Sequence, residues 1–322
     1  HADPQSQLFY PPVWINFGAL RFLGFSEFPL MALTAETISH YLAISIFAYF
    51  FLREECGSHI GALVGAVVLA YGGYLTGYPP LQTGNIETTT WMPLLLLALR
   101  RFTLTRSGRA AAAAVSVYVL AFLAGHPQTF LLVTYLSVGY FLFRARSAGR
   151  AWGWILRWLL IIFALVALVV GAQLLPQMQF LSLSTRTSLP FEQLAHGFSP
   201  QDIVQLVLTK LGSSDLWHPL YVGVLALTLA IVALPLRRDA TTRFWLATGL
   251  IALLVSFGSN MALYQLAYWL LPLFRLFRGQ EHTAVLIAMA AATLVSLAVA
   301  ALTESLRQEQ LRTLRATQRW LR

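Results

Sequence analysis

Between Thr283 and Leu302 the chain runs for twenty residues without a charged side chain. An apolar helix needs about 20 residues to cross the hydrocarbon core of a bilayer, so this stretch restricts the chain to architectures that bury or span such a helix. The rest of the sequence agrees. It is 57% hydrophobic and only 11% charged, against roughly 25% charged for a soluble domain. The apolar runs are long and lack strand alternation, so helices rather than a barrel satisfy the backbone. The fold class this predicts is all-α, a polytopic transmembrane helical bundle. Nine spans are expected, near 30–52, 59–76, 89–102, 110–124, 127–143, 155–175, 220–236, 244–258 and 283–302. Before the first, residues 11–24 alternate aromatic and polar side chains and read as a helix lying in the membrane interface.

Three regions follow: a first outer loop with its interfacial helix at 1–29, the bundle at 30–302 with an outer loop at 176–219, and a basic tail at 303–322. There is no leading apolar span before His1, which reads as a chain whose first transmembrane helix is missing. The connecting segments alternate in charge. Arg53, Arg100, Arg101, Arg106, Arg109, Arg144, Arg146, Arg150, Arg157, Arg237, Arg238, Arg243 and five arginines from Arg307 onward make one set, 17 of the 22 basic residues. By the positive-inside rule that set is cytoplasmic. His1 to Pro29 is then outside the plasma membrane and the tail inside. Net charge is +9, which records this bias and implies no nucleic-acid partner. The single cysteine, Cys56, excludes an internal disulfide framework and a thiolate metal cluster.

Chemistry, on this topology, belongs to the outer face, where several carboxylates gather. Asp3 is held between prolines and followed by Tyr10-Pro11-Pro12; it could act as a general base on an acceptor hydroxyl or simply stay a solvated loop carboxylate. Glu36 and His40 are four apart and share a helix face, as a functional intramembrane pair or as a mutually satisfied packing pair. Gly84-Asn85-Ile86-Glu87 precedes Trp91-Met92-Pro93, and Glu87 faces the same compartment as Asp3. Gly125-His126-Pro127-Gln128 is a turn whose Pro127 can open a helix; His126 either caps it or binds substrate. Arg275 and Arg278, followed by Glu281 and His282, suit phosphate contacts or headgroup anchoring. Ser199-Pro200-Gln201-Asp202 starts a helix to about 211, with Gln201, Gln205 and Thr209 along one face. No Walker loop, dinucleotide fingerprint, zinc-protease motif or serine-hydrolase spacing occurs.

Several short stretches, taken in order, resemble the YfhO-like family of bacterial membrane proteins in the GT-C glycosyltransferase superfamily. They are Asp3 with Phe9-Tyr10-Pro11; Trp91-Met92-Pro93-Leu94; Ala124-Gly125-His126-Pro127-Gln128; Gln173-Leu174-Leu175-Pro176 leading to Ser184-Thr185-Arg186; Leu220-Tyr221-Val222-Gly223; and Phe274-Arg275-Leu276-Phe277-Arg278. The resemblance implies a membrane enzyme that moves a sugar from a polyprenyl-phosphate donor to a glycan, lipid or protein acceptor on the outer face. It implies Asp3 as the catalytic acidic residue and Arg275 and Arg278 as contacts to the donor phosphate; on the residues themselves Glu87 is the next catalytic candidate, and Tyr10, His126, Gln128, Arg186 and His282 complete the expected substrate site. No cofactor is fixed, and a divalent metal is left open. A lipid-linked-sugar flippase and a non-catalytic assembly subunit are the other classes the sequence admits.

Overall fold

The computed structural model describes residues 7–27, 29–77, 82–184, 190–209 and 219–320, with side chains in the last helix described to Gln308. The helices are α1 (Pro11–Phe22), α2 (Leu30–Cys56), α3 (His59–Tyr71), the short α4 (Gly73–Gly77), α5 (Thr83–Thr105), α6 (Gly108–Leu123), α7 (Pro127–Ser147) and α8 (Trp152–Ser182). They continue with the one-turn α9 (Phe191–Leu194), α10 (Val224–Leu236), α11 (Ala240–Ser256), α12 (Ala262–Leu270) and α13 (Ala284–Trp320). Among the described residues the rest is loop and short 3-10 turns, so the all-α expectation stands. The ends have local causes. Gly57, at φ +75°, stops α2 in the left-handed conformation that glycine adopts freely. One residue later the Ser58 hydroxyl accepts the Gly61 N–H at 3.2 Å and opens α3.

Two helices organise the packing. α5 lies against α2, α6 and α7, while α13 lies against α3, α10 and α11; contact between α2 and α3 joins the two groups. The helices on the outside are turned the wrong way for water. The buried stripe of α2 includes Ala32, Glu36, His40, Ile44, Ala48, Leu52 and Glu55, whereas Ile38, Leu42, Ile46 and Phe50 are exposed. α8 buries Ile162, Val166, Val170 and Gln173 and exposes Leu160, Leu168 and Leu175. A helix on a water-soluble domain puts its polar side out; here ionisable groups face in and aliphatic groups face out, as lipid requires.

The expectation of nine spans is overturned. Among the described residues four helices are long and apolar enough to cross a membrane: Leu30–Cys56, His59–Gly77, Trp152–Ser182 and Gln280–Gln308. The other five stretches lie in helices, but fail on length or on polarity. α6, α10 and α11 have 16, 13 and 17 residues. α5 and α7 are long enough at 23 and 21 residues. However, α5 begins with a polar run from Thr83 to Thr90 and ends on Arg100 and Arg101, and α7 ends on Arg144 and Arg146.

Smaller corrections concern the flanking helices. α1 turns Asn16 toward α2, where its amide donates to the Ala32 carbonyl at 3.2 Å, and leaves Trp14, Ile15 and Phe22 outside. The helix expected from Ser199 is a 3-10 turn, Pro200–Leu206, closed by the capping box of Ser199 and Asp202. Its polar Asp202 and Gln205 are buried while Gln201 and Ile203 are exposed, so the polar side faces the protein. The basic tail continues α13, which runs on to Trp320.

Candidate functional site

The polar start of α5 is the most buried polar stretch in the molecule's described part. Asn85, Glu87, Thr88, Thr89 and Thr90 are each at most 1% exposed. Burial of such a run is sustained by hydrogen bonds. Thr89 and Thr90 donate back to the Asn85 and Ile86 carbonyls, both at 2.8 Å. The Asn85 side-chain oxygen accepts from the Tyr74 hydroxyl at 3.1 Å and from the Thr129 hydroxyl at 2.8 Å, tying α4 and α7 to α5. The Asn85 Nδ2 has no partner.

Glu87 is covered from above. The Gln7 amide donates both to its carboxyl group and, at 2.9 Å, to the Ala124 carbonyl at the end of α6. Burial, then the charge of Glu36, push the Glu87 pKa up to about 8, against opposing hydrogen bonds from Gln7 and Thr83. Neutral Glu87 therefore predominates at pH 7.

Beside it runs a second network. Tyr10 is fully buried. Its hydroxyl accepts the Trp91 indole N–H at 2.9 Å and lies 2.8 Å from His40 Nε2. His40 Nδ1 is 2.8 Å from the Glu36 carbonyl oxygen. A carbonyl only accepts, so Nδ1 carries the ring proton; the arrangement that satisfies every atom then has Nε2 accepting from Tyr10. Glu36 and His40 are thus joined through the backbone, not as the side-chain pair their spacing suggested. The Glu36 carboxyl takes a bond from Asn16 at 3.3 Å, and its Oε1 is buried without a partner. Burial, and then the charges of Glu87 and Glu36 together, outweigh the Trp91 bond and hold the Tyr10 phenol above its ordinary range.

The α6–α7 turn closes the third side. Gly125 takes φ +84°, and Pro127 opens α7 at a position where its missing N–H costs nothing. His126 Nδ1 accepts the Thr129 N–H at 3.2 Å, which makes it the helix cap and puts its ring proton on Nε2. Its backbone N–H reaches the Thr88 hydroxyl at 3.3 Å, and its ring centroid lies 5.3 Å from that of His282. Gln128 donates to the Gly279 carbonyl at 2.9 Å. One end of the bundle therefore gathers Tyr10, Glu87, His126, Gln128 and His282. Arg278, exposed, adjoins this group through Gly279. Arg275 is exposed in the Phe274–Leu276 turn, and neither arginine forms an ion pair among the described residues. Asp3 and Arg186 lie outside the described residues.

Sequence reasoning missed Gln7, Asn16 and Thr129. Each is an ordinary polar residue whose importance comes from a partner far along the chain, so no local pattern marks it. Among the described residues no three His, Cys, Asp or Glu side chains are grouped as metal ligands.

No family model, curated protein or solved structure matches the chain. With four candidate spans instead of nine, that overturns the resemblance to the YfhO-like family, and with it every GT-C or glycosyltransferase identity drawn from kinship. The pieces that carried the resemblance have local reasons. Ala124-Gly125-His126-Pro127-Gln128, for instance, is the end of one helix and the cap of the next, a combination that turn chemistry alone favours.

Proposed function

We propose that the chain is a membrane-embedded enzyme that works on the polar head of an amphiphile, with Glu87 exchanging a proton with a substrate oxygen. One observation carries the reading: a buried carboxyl group, Glu87, lies beside a buried phenol–imidazole network and close enough to feel the charge of a second carboxyl, Glu36, at one end of a bundle whose outer surface is apolar. A general base serves best when its pKa lies near the working pH. At about 8, Glu87 is ionised in roughly one molecule in ten at pH 7 and is a much stronger base than an ordinary carboxylate. As the acceptor hydroxyl attacks, its proton passes to the Glu87 carboxylate, and the electron pair of the broken bond leaves with the departing group.

In its finest form the amphiphile is a polyprenyl-phosphate-linked sugar and the acceptor a hydroxyl of a glycan, lipid or protein. The exposed guanidinium of Arg278, next to Gly279 and Gln128, supports an anionic leaving group on that side. This form rests on chemistry and claims no descent from the GT-C superfamily. Asp3 is the rival base, and the same assay decides between them.

The experiment is transfer of labelled sugar from polyprenyl-phosphate donors by the purified protein in nanodiscs, with a membrane extract as acceptor. Turnover at limiting donor should rise with pH and level off above about 8. Glu87→Gln should lose on the order of 100- to 10,000-fold in rate, with unchanged protein yield. If Asp3→Asn is the variant that fails and Glu87→Gln turns over normally, Glu87 is not the base. Carrier movement across the bilayer without transfer would replace the enzyme with a flippase.

A further inference from the structure

On α8 the buried stripe of Ile162, Val166 and Val170 continues into Gln173, which is 3% exposed. Among the described residues neither its amide nitrogen nor its amide oxygen has a partner, and one turn on the Gln177 nitrogen has none either. A leucine would have continued the stripe. In a helix long and apolar enough to cross a membrane, a buried amide with both ends unsatisfied opposes folding. Pro176, between the two glutamines, cannot donate to the Ala172 carbonyl four residues back. Two amides and a carbonyl thus collect within about one turn.

Their level in the bundle follows from two contacts. Arg150, just before α8, donates at 2.6 Å to the carbonyl of Thr103 in the last turn of α5, which α6 follows after a short turn, so α6 and α8 start at the same end and run parallel. The rings of Tyr118 on α6 and Phe163 on α8 lie 5.5 Å apart and fix the register. From there Gln173 is about 15 Å farther along α8, whereas α6 ends at Leu123 after about 7.5 Å, at 1.5 Å per residue. Gln173 therefore stands about 7.5 Å past the end of α6 and Gln177 about 6 Å beyond it, on the side of the Gly125–Gln128 turn and on the same end of the bundle as Glu87.

We infer that Gln173 and Gln177 bind a neutral, hydroxyl-rich head group, that of a sugar-bearing lipid. A primary amide offers donors and an acceptor side by side without charge, which matches neighbouring hydroxyls. An anionic group would call for a cation, and from Ala110 to Ala124 α6 carries no charged residue. The inference rests on the amphiphilic substrate of the proposed function and names its class.

The test is binding, measured without turnover. The full chain is placed in phosphatidylcholine nanodiscs with monoglucosyl diacylglycerol, plain diacylglycerol or free glucose, and followed by native mass spectrometry and thermal melting. The glucosyl lipid should bind and raise the melting temperature; diacylglycerol should do neither. Tighter binding of the glucosyl lipid than of glucose assigns the site to a lipid head group, and equal binding assigns it to a free sugar. Gln173→Leu and Gln177→Leu should each weaken glucosyl-lipid binding at least tenfold, while Gln173→Leu without sugar melts at or above wild type. Glu87→Gln should bind like wild type even if turnover is lost, which separates this site from the acid–base assignment. Equal affinity in Gln173→Leu, no preference of wild type for the glucosyl lipid, or a Gln173→Leu protein that melts well below wild type would each overturn the inference; the last would mean that the amide serves the fold.

Discussion

Glu87 couples the fold to pH with a definite sign. Burial and the charge of Glu36 raise its pKa from the ordinary 4.5 to about 8, so the folded chain holds a proton that the unfolded chain releases. Stability from this group is fully present below about pH 4.5 and is lost as pH rises through about 8. The melting temperature of the detergent-purified protein should therefore fall between pH 5 and 9. Glu87→Gln, which keeps the shape and cannot ionise, should flatten that slope and melt above wild type at the alkaline end. Asp239 has the opposite sign. Burial pushes its pKa up, but bonds from Thr242 and Arg237 outweigh that and hold it below its ordinary value. Its contribution fades only in acid, outside the window that reports Glu87. A wild-type profile with no decline from pH 5 to 9 would show that Glu87 does not titrate there.

Between elements, glycine lets α3 and α13 lie in close contact. A Cβ on Gly65 would sit 2.6 Å from the Ala292 carbonyl oxygen and 2.9 Å from a Leu52 methyl, besides meeting the Ser296 hydroxyl. Small residues let helices approach this closely where lipid supplies no hydrophobic push. Gly65→Ala should destabilise the protein by about 1–3 kcal/mol as the helices are forced apart. Gly139, in α7 with nothing within 4 Å of its would-be Cβ, should respond the other way: Gly139→Ala should gain about 0.5–1 kcal/mol from helix propensity. Thermal melting of the pair checks both, and equal shifts would deny the close packing. The helices themselves were legible in the sequence, because apolar runs bounded by Gly, Pro and Arg announce them. Their number of crossings was not. A stretch such as 89–102 looks apolar in isolation, yet belongs to a helix whose Thr83–Thr90 start is polar and whose burial is by neighbouring helices rather than lipid. The site was half legible. Glu87 and His126 stand out as polar groups at helix ends, whereas Gln7 reaches Glu87 across 80 residues, a contact that no local pattern records.

At the scale of the whole molecule, α2 carries buried ionisable groups at two levels. At one, Glu36 and Glu87 lie with Tyr10 and His40. At the other, the fully buried Glu55 side chain meets Arg100 at 3.2 Å, the Tyr140 hydroxyl at 2.8 Å and the Trp245 indole at 3.2 Å, locking α2, α5, α7 and α11 together. Glu36 and Glu55 are nineteen residues apart on one helix, about 28 Å, close to the roughly 30 Å of a bilayer's hydrocarbon core. The two clusters are therefore spaced to lie near opposite membrane faces. The Glu55 level also carries Arg53, Arg100 and Arg101, and Arg150 bonds the nearby Thr103 carbonyl, so the positive-inside rule predicts that this level faces the cytoplasm. Cys56, next to Glu55 and the chain's one thiol, reports on it directly. Its side chain is half-buried, so labelling after detergent extraction serves as the reference for reagent access. A membrane-impermeant maleimide should leave Cys56 unmodified in intact cells and modify it in inverted vesicles to the level seen in detergent, with Cys56→Ser as the blank. Labelling from outside intact cells would turn the molecule over. Glu87 would then face the cytoplasm, and an extracytoplasmic lipid-linked donor would no longer reach it.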